Sequence, residues 1–527
     1  MIDLNIVSRQ LHATALGLTD IVMGPPREVQ VSVKREQIPA LADYLCDRFG
    51  GRPELIIAED NCAERGGFTL RYIFELDGAD VFVVASAFVP EDDRTFPSLA
   101  TRSYLASRFE REIFDLFGLQ PVGHPDLRRL PLHQFWAAAY HPLLKNASPP
   151  DKFVDDGTPY PFRHVEGEGI HEITVGPVHA GIIEPGHFRF SVEGETIINL
   201  ESRLYFVHKG IEKLFETMTP SAAVELAERI SGDSSVAHAM AFCQAVESLA
   251  GVTIPPRAGY LRVILLELER IYNHIADTGA ICTDTGFAFA NAHAMRLREE
   301  VLRLNDRLVG HRLLRGALVP GGTQCDLSPS QIRDARVTLA RIIADFDEVV
   351  EIAINNPSVL DRLHGTGQLT EQTARDMQVS GLAARASGNT SDARRDHPFA
   401  AYGQMQIRVP VFSSGDVWAR MMVRVEETHE SFDLIARALD ALPEGETVES
   451  VGTLPPGAGD FGLVEGWRGP IWHWVVADDD NRLSRVKVKD PSFANWPALN
   501  YAILKNIVPD FPLVNKSFNL SYAGNDL

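Results

Sequence analysis

The pattern that most restricts the fold of this chain is the apolar stripe between Leu261 and Thr278. Leu261, Ile264, Leu265, Leu268, Ile271 and Ile275 recur at three- and four-residue intervals, the period of a helix with one face turned to a core. Further helical patterns run from Leu200 to Glu216, Ala222 to Leu249, Ala292 to His311, Pro329 to Asn356 and Val417 to Leu442. Such a chain builds a helical body. Its first 130 residues read differently. Val29 to Val33 and Leu70 to Phe74 alternate like strands, and Val81 to Phe88 is a β-rich run. One helix, from about Thr101 to Phe117, carries Leu105, Phe109, Ile113 and Leu116 on one side and ends at Gly118. Periodicity fades between His133 and His171, where Ser148-Pro149-Pro150, Asp155-Asp156-Gly157 and Pro159-Tyr160-Pro161 are turn signals. A strand pair, Ile173 to Val175 and Phe188 to Ile198 with a turn at Glu193-Gly194-Glu195, opens the second region, and Gly462 to Val488 alternates again. The fold class expected is α+β: a small α+β domain over residues 1–135, a linker over 136–168, and a large, mainly helical domain over 169–527 with peripheral antiparallel strands.

Composition removes several functional classes. A net charge of −21 lacks the basic footprint of a nucleic-acid binder. No stretch approaches the roughly 18 apolar residues that span a bilayer; the best, Val81 to Val89, suits a buried strand. Met1 to Arg9 has Asp3 early and no basic region before an apolar run, so it is not a signal peptide. The expectation is a soluble chain on the cytoplasmic side of the cell membrane, peripheral and attached through partner subunits. The five cysteines, Cys46, Cys62, Cys243, Cys282 and Cys325, form no CxxC; they read as reduced thiols that hold no iron–sulfur cluster by themselves. Ser231 and Ser234 lie outside any G-x-S-x-G elbow, which argues against a hydrolase. Gly321-Gly322 and the glycines around Gly365 form neither a phosphate loop nor a dinucleotide fingerprint, so no NAD site is expected.

Two sets of motifs are more specific. The run Phe109-Glu110-Arg111-Glu112-Ile113-Phe114-Asp115-Leu116-Phe117-Gly118, followed by Gly123-His124-Pro125-Asp126-Leu127-Arg128-Arg129-Leu130, resembles the signature of the small hydrophilic subunit of respiratory complex I. Residues 170–500 resemble the large-subunit family shared by complex I and the membrane-bound, energy-converting [NiFe] hydrogenases. The matching pieces are Gly176-Pro177-Val178-His179, His208 to Leu214, Glu228-Arg229-Ile230, Arg262 to His274, Pro320-Gly321-Gly322, Arg385 to Tyr402, Gly415 to Glu427 and Glu465 to Gly469. Fusion of the two modules resembles the large subunit of hydrogenase-4 and formate-hydrogenlyase-type complexes. The resemblance implies a small iron–sulfur partner subunit, integral membrane subunits of a proton-pump-like arm, and a cavity against the partner's [4Fe–4S] cluster. It also implies quinone or another acceptor at that interface, with no cofactor held by this chain alone and a subunit inactive by itself.

The departures bear on the chemistry. Family hydrogenases carry R-x-C-G-x-C-x-x-x-H; here Arg229, Gly232 and His238 match, but Ser231 and Ser234 stand at both cysteines. Their second CxxC has no counterpart in the tail Ser517 to Gly524. Nickel needs soft thiolates, so no nickel and no hydrogenase activity are expected. The family's quinone-binding tyrosine falls near Gly232, and the histidine after His179 comes eight residues on, at His187. The resemblance places His179, His187, His208, Asp233 and His238 as catalytic candidates beside Glu184 and Glu212, with His179, Lys209 and Gly232 toward the cofactor. His179 or His187, partnered by Asp233, would supply a proton; each helix histidine also has a structural reading. Lys209 and Lys213, four apart, either face the partner's cluster from one helix face or form a solvated face neutralised by Glu212 and Glu216. Arg262, Glu269 and Asn273 form either a buried polar network or a wet helix face. Three functions follow: quinone-linked electron transfer coupled to ion translocation, a non-redox scaffold that gates protons, and, against the missing cysteines, a true hydrogenase.

Overall fold

The computed structural model describes residues 3–24, 27–155 and 157–527. Of the segments singled out above, Met1, Ile2 and Asp156 lie outside the described residues. The chain divides into two compact units: residues 1–163 with 376–378, and residues 164–375 with 379–527.

In the first unit, strands β1 (Thr19–Gly24), β2 (Glu28–Ser32), β3 (Arg52–Asn61), β4 (Gly67–Glu75) and β5 (Phe82–Pro90) form one sheet in the order β1-β2-β5-β4-β3. Only the β2–β5 pairing is parallel. The β-branched and aromatic residues of β4 and β5 are almost all buried, as expected where both faces of a sheet are covered. Helix Tyr104–Phe117 begins at Ser103, whose side chain accepts from the Ala106 N–H, and closes at Gly118 in the left-handed region. Its buried stripe of Leu105, Phe109, Ile113 and Leu116 contributes roughly 1.5–3 kcal/mol per side chain. The polar residues of this signature are tethers. The Glu110 carboxylate accepts from the Leu99 N–H at 2.6 Å and the Ser98 hydroxyl at 2.5 Å, Asp115 accepts from the Leu130 N–H at 2.7 Å, and Arg111 donates to the Arg128 carbonyl at 2.7 Å. One helix thus ties down the loops on both sides of it.

In the second unit, the long helix Pro256–Asp284 packs against helices Ala288–Val309 and Val417–Ala441, and Pro329–Ile354 packs outside them. Its predicted stripe is wholly buried, and so are Arg262, Glu269 and Asn273: they are no wet face, but Arg262 pairs with Glu247, whereas Glu269 and Asn273 hold the backbone at residues 233–237. Strands Ile170–Val175, His187–Glu193 and Thr196–Arg203 form one antiparallel sheet, and Gly459–Glu465, Pro470–Ala477 and Leu483–Lys489 form another, packed on helix Ser235–Ala250.

Two helical expectations are corrected. Leu200 to Glu216 begins as a strand ending at Arg203 and becomes helical only over Ile211–Phe215, because Tyr205 and Gly210 take positive φ. His208 and Lys209 therefore precede a helix and do not lie on one, and Lys209 shares no helix face with Lys213. Ala222 to Leu249 is broken into Pro220–Ala227 and Ser235–Ala250. The interruption, residues 228–234, contains Ser231-Gly232-Asp233-Ser234, where short polar side chains and a glycine disfavour the helical backbone. That break is where the site forms.

Candidate functional site

The turn at residues 231–234 presents Asp233. Its carboxylate accepts both ends of the Arg468 guanidinium, Nη1 to Oδ1 at 2.8 Å and Nη2 to Oδ2 at 2.6 Å, and the Ser231 hydroxyl at 2.8 Å. The Asp233 carbonyl accepts from Trp467 Nε1 at 2.9 Å and Asn273 Nδ2 at 2.8 Å. Arg468 also stacks on the Trp467 ring at 3.9 Å. Withdrawal from water raises the Asp233 pKa, but the Arg468 charge and hydrogen bonds outweigh it and hold the group at about 2. The side chain keeps 36% of its surface accessible, and Gly232 beside it is exposed, so the site opens at these two residues.

Beneath the turn the packing is closed. Ser231 Oγ and Ser521 Oγ of the tail meet at 2.8 Å. Glu269 accepts the Val236 and Ala237 N–H groups at 2.6 and 3.1 Å, capping the helix that carries His238; burial pushes its pKa up to about 8. His238, fully buried, meets Asp490 through Nε2 and His473 through Nδ1, both at 3.1 Å. Burial, then His238, lowers the pKa of His473 well below the ordinary imidazole value.

The donor set does not suit nickel. Ser231 and Ser521 spend their hydroxyls on each other and on Asp233, and Arg468 brings a positive charge where a metal's thiolates would need to converge. Among the described residues, no group of three or more His, Cys, Asp or Glu side chains is placed to hold a metal ion.

A second cluster lies where the loop from Gly176 to His187 meets the tail. His179 Nε2 pairs with the Gly186 carbonyl at 2.8 Å, and Glu184 accepts from the Ala523 N–H at 3.0 Å. His208 Nδ1 pairs with the Asp526 carbonyl at 2.6 Å, and Lys209 Nζ donates to the Ile230 carbonyl at 2.9 Å. Burial raises the Asp526 carboxyl to about 6 and lowers His208, His187 and Lys209; at Lys209 the nearby Glu184 and Asp526 partly offset this. Glu212 does not neutralise the lysines. It is buried against Arg485 at 2.8 Å and Lys487 at 2.9 Å, whereas Lys213 pairs with Glu216. Val178, Ile182 and Ile183 on the same loop are exposed.

The candidate residues thus fall into three settings. Asp233 and Gly232 are at the opening, His238 is beneath it, and His179, His187, His208 and Lys209 surround the loop and tail. Sequence reasoning left out Arg468, Ser521, Asp490, His473 and Asp526. Arg468 stands inside the matched stretch Glu465 to Gly469, and Ser521 inside the tail already compared with CxxC; both were within reach. No helix among the described residues is long and apolar enough to cross a membrane.

Comparison with known proteins adds three family matches: "Respiratory-chain NADH dehydrogenase, 30 Kd subunit" over residues 31–152, "Respiratory-chain NADH dehydrogenase, 49 Kd subunit" over 284–458, and "Nickel-dependent hydrogenase" over 209–277. Hydrogenase-4 component G of Escherichia coli K12 is 34% identical over 95% of this chain and 88% of its own length. Formate hydrogenlyase subunit 5 of the same organism is 32% identical over 95% and 89%. A chain of the archaeal membrane-bound sulfane sulfur reductase superposes over 69% of this chain and all of its own, with a TM-score of 0.65 at 24% identity, a likeness of fold.

Proposed function

The chain belongs to the complex I-related family in which 30-kDa and 49-kDa modules are fused, and from that membership we propose that it serves a membrane-bound electron-transfer complex without acting as a hydrogenase. In this reading it is a peripheral-arm subunit on the cytoplasmic side. It pairs with a small subunit carrying a [4Fe–4S] cluster and docks on integral membrane subunits that translocate ions. Electrons pass from the partner's cluster to a quinone or another acceptor at the shared cavity. The observation that carries the non-hydrogenase part of the proposal is the Asp233–Arg468 pair beside Ser231 and Ser234, the serines at the two cysteine positions. The exposed Val178, Ile182 and Ile183 support a partner that covers the loop. Around the acceptor, Asp233 stays ionised, and Asp526, raised by burial to about 6, is the group placed to take up a proton beside His208 and Lys209.

A second reading is a scaffold that passes protons with no acceptor, and the closed Arg468–Asp233 pair favours it. One experiment separates the two. The complex is purified from native membranes through a tag on this chain, its cluster is reduced, and a short-chain quinone is added. Co-purification of an iron–sulfur subunit with membrane subunits, and reoxidation of the cluster by the quinone, are the outcomes expected. An assembled complex whose cluster ignores the quinone favours the scaffold; a chain that recovers no iron–sulfur partner refutes the electron-transfer reading.

A further inference from the structure

In a thiolate site of the family's kind, a metal ion would join the 231–234 turn to the C-terminal tail. Here side chains join the same two segments. Arg468 holds the turn through both Asp233 oxygens and holds the tail through Nε on the Asn519 carbonyl at 2.5 Å. Its guanidinium is buried and stacked on Trp467, and the indole N–H fixes the Asp233 carbonyl in turn. Other grips fall on adjacent tail residues. Arg420 Nε donates to the Ser517 hydroxyl at 2.8 Å, with its guanidinium 4.2 Å from the Phe518 ring. Arg424 Nη2 donates to the Phe518 carbonyl at 3.3 Å. Asn519, in the left-handed region, donates to Asp277 at 2.7 Å, and Ser521 meets Ser231.

We propose that Arg468 is a positioning residue that staples the C-terminal tail to the 231–234 turn, replacing a metal as the cross-link, so that closure of this site is independent of metal. A guanidinium is suited to the task, since its planar fork satisfies a carboxylate with two donors and leaves Nε for a third acceptor at a fixed angle. A lysine offers a point charge and cannot hold both segments in one geometry. Arg468 has this role whichever acceptor the complex uses.

The test is hydrogen–deuterium exchange on the native complex, followed over residues 228–238 and 515–527, with helix Pro329–Ile354 as the internal control. Wild-type protection in both segments is expected to be unchanged after exhaustive chelation. Arg468→Gln should speed exchange in both by about tenfold or more, with the control helix unaffected and Arg468→Lys intermediate. Should Arg468→Gln fail to assemble, Asp233→Asn decides, because it removes the charge while keeping the side-chain shape. Loss of tail protection on chelation alone, or wild-type protection in both the Arg468→Gln and Asp233→Asn complexes, overturns the proposal.

Discussion

Glu110 in the sheet unit and Glu427 in the helical unit are both removed completely from solvent, and they answer burial in opposite ways. Burial raises both pKa values. At Glu110 the only offsets are the Ser98 hydroxyl and the Leu99 N–H, and the group settles at about 7. At Glu427 the Arg385 guanidinium at 2.8 Å outweighs burial, helped by His274 and Arg270, and the carboxylate is held well below its ordinary range. The contrast extends beyond one pair. Glu267 meets Arg394 at 3.0 Å, and Arg385 meets Glu465 at 2.9 Å, all of them buried. The first unit buries a sheet and spends Glu110 on a backbone tether. The second buries acids and arginines together, and its site at Asp233 and Arg468 lies at an opening of that ionic interior. Burial sets the cost of a charge, and the presence of a guanidinium decides whether the charge persists.

Breaking the ionic interior should give the largest effect. Arg385→Met leaves Glu427 and Glu465 without their main cation and is expected to destabilise the second unit by about 3–5 kcal/mol, read as a lower midpoint in urea; a loss under about 1 kcal/mol would mean that the cluster reorganises around the gap. Next comes Glu110, which sharpens the contrast through pH. Its folded pKa is raised, so its contribution to stability is complete below about pH 4.5 and is lost as pH rises through 7. Over that window the loss is roughly 3 kcal/mol. Glu110→Gln should flatten this part of the pH–stability profile while keeping the Leu99 tether; an unchanged slope would show that Glu110 is not its source. Ser521→Ala removes one hydroxyl from a buried pair and should cost about 1 kcal/mol, seen as faster proteolysis of the tail. The smallest effect is expected from Lys209→Met, whose loss of the Ile230 carbonyl bond changes stability by less than about 1 kcal/mol in a thermal melt; a larger loss would assign Lys209 to the core.

The long helices were legible because each keeps a 3.6-residue stripe for four turns or more, as Pro256–Asp284 does. The break before Ser235 was not, since Ala223, Val224 and Ala227 keep the stripe almost to the turn and only the seven residues 228–234 interrupt it. Strand Thr196–Arg203 was half hidden for a related reason: Leu200 and Leu204 fit a helical spacing until the pairing with His187–Glu193 overrides it. At the site, local sequence pointed to the turn and its histidines. The groups that fix it, Arg468, Asp490 and Ser521, come from 235 to 290 residues away, and nothing in the sequence around Asp233 shows that a guanidinium arrives there. Arg385 and Arg394 could be noticed as motif residues, but their role as counter-ions for Glu427, Glu465 and Glu267 appears only in three dimensions.

At the centre of this site, the Asp233–Arg468 ion pair lies over the Ser231–Ser521 contact. The most direct test is elemental analysis of the complex purified from native membranes through this chain, with nickel and iron measured against protein. Iron from the co-purified small subunit, with no stoichiometric nickel, is the result expected. One nickel per chain would contradict it and would mean that a metal site is assembled from residues other than Ser231, Ser234 and Ser521.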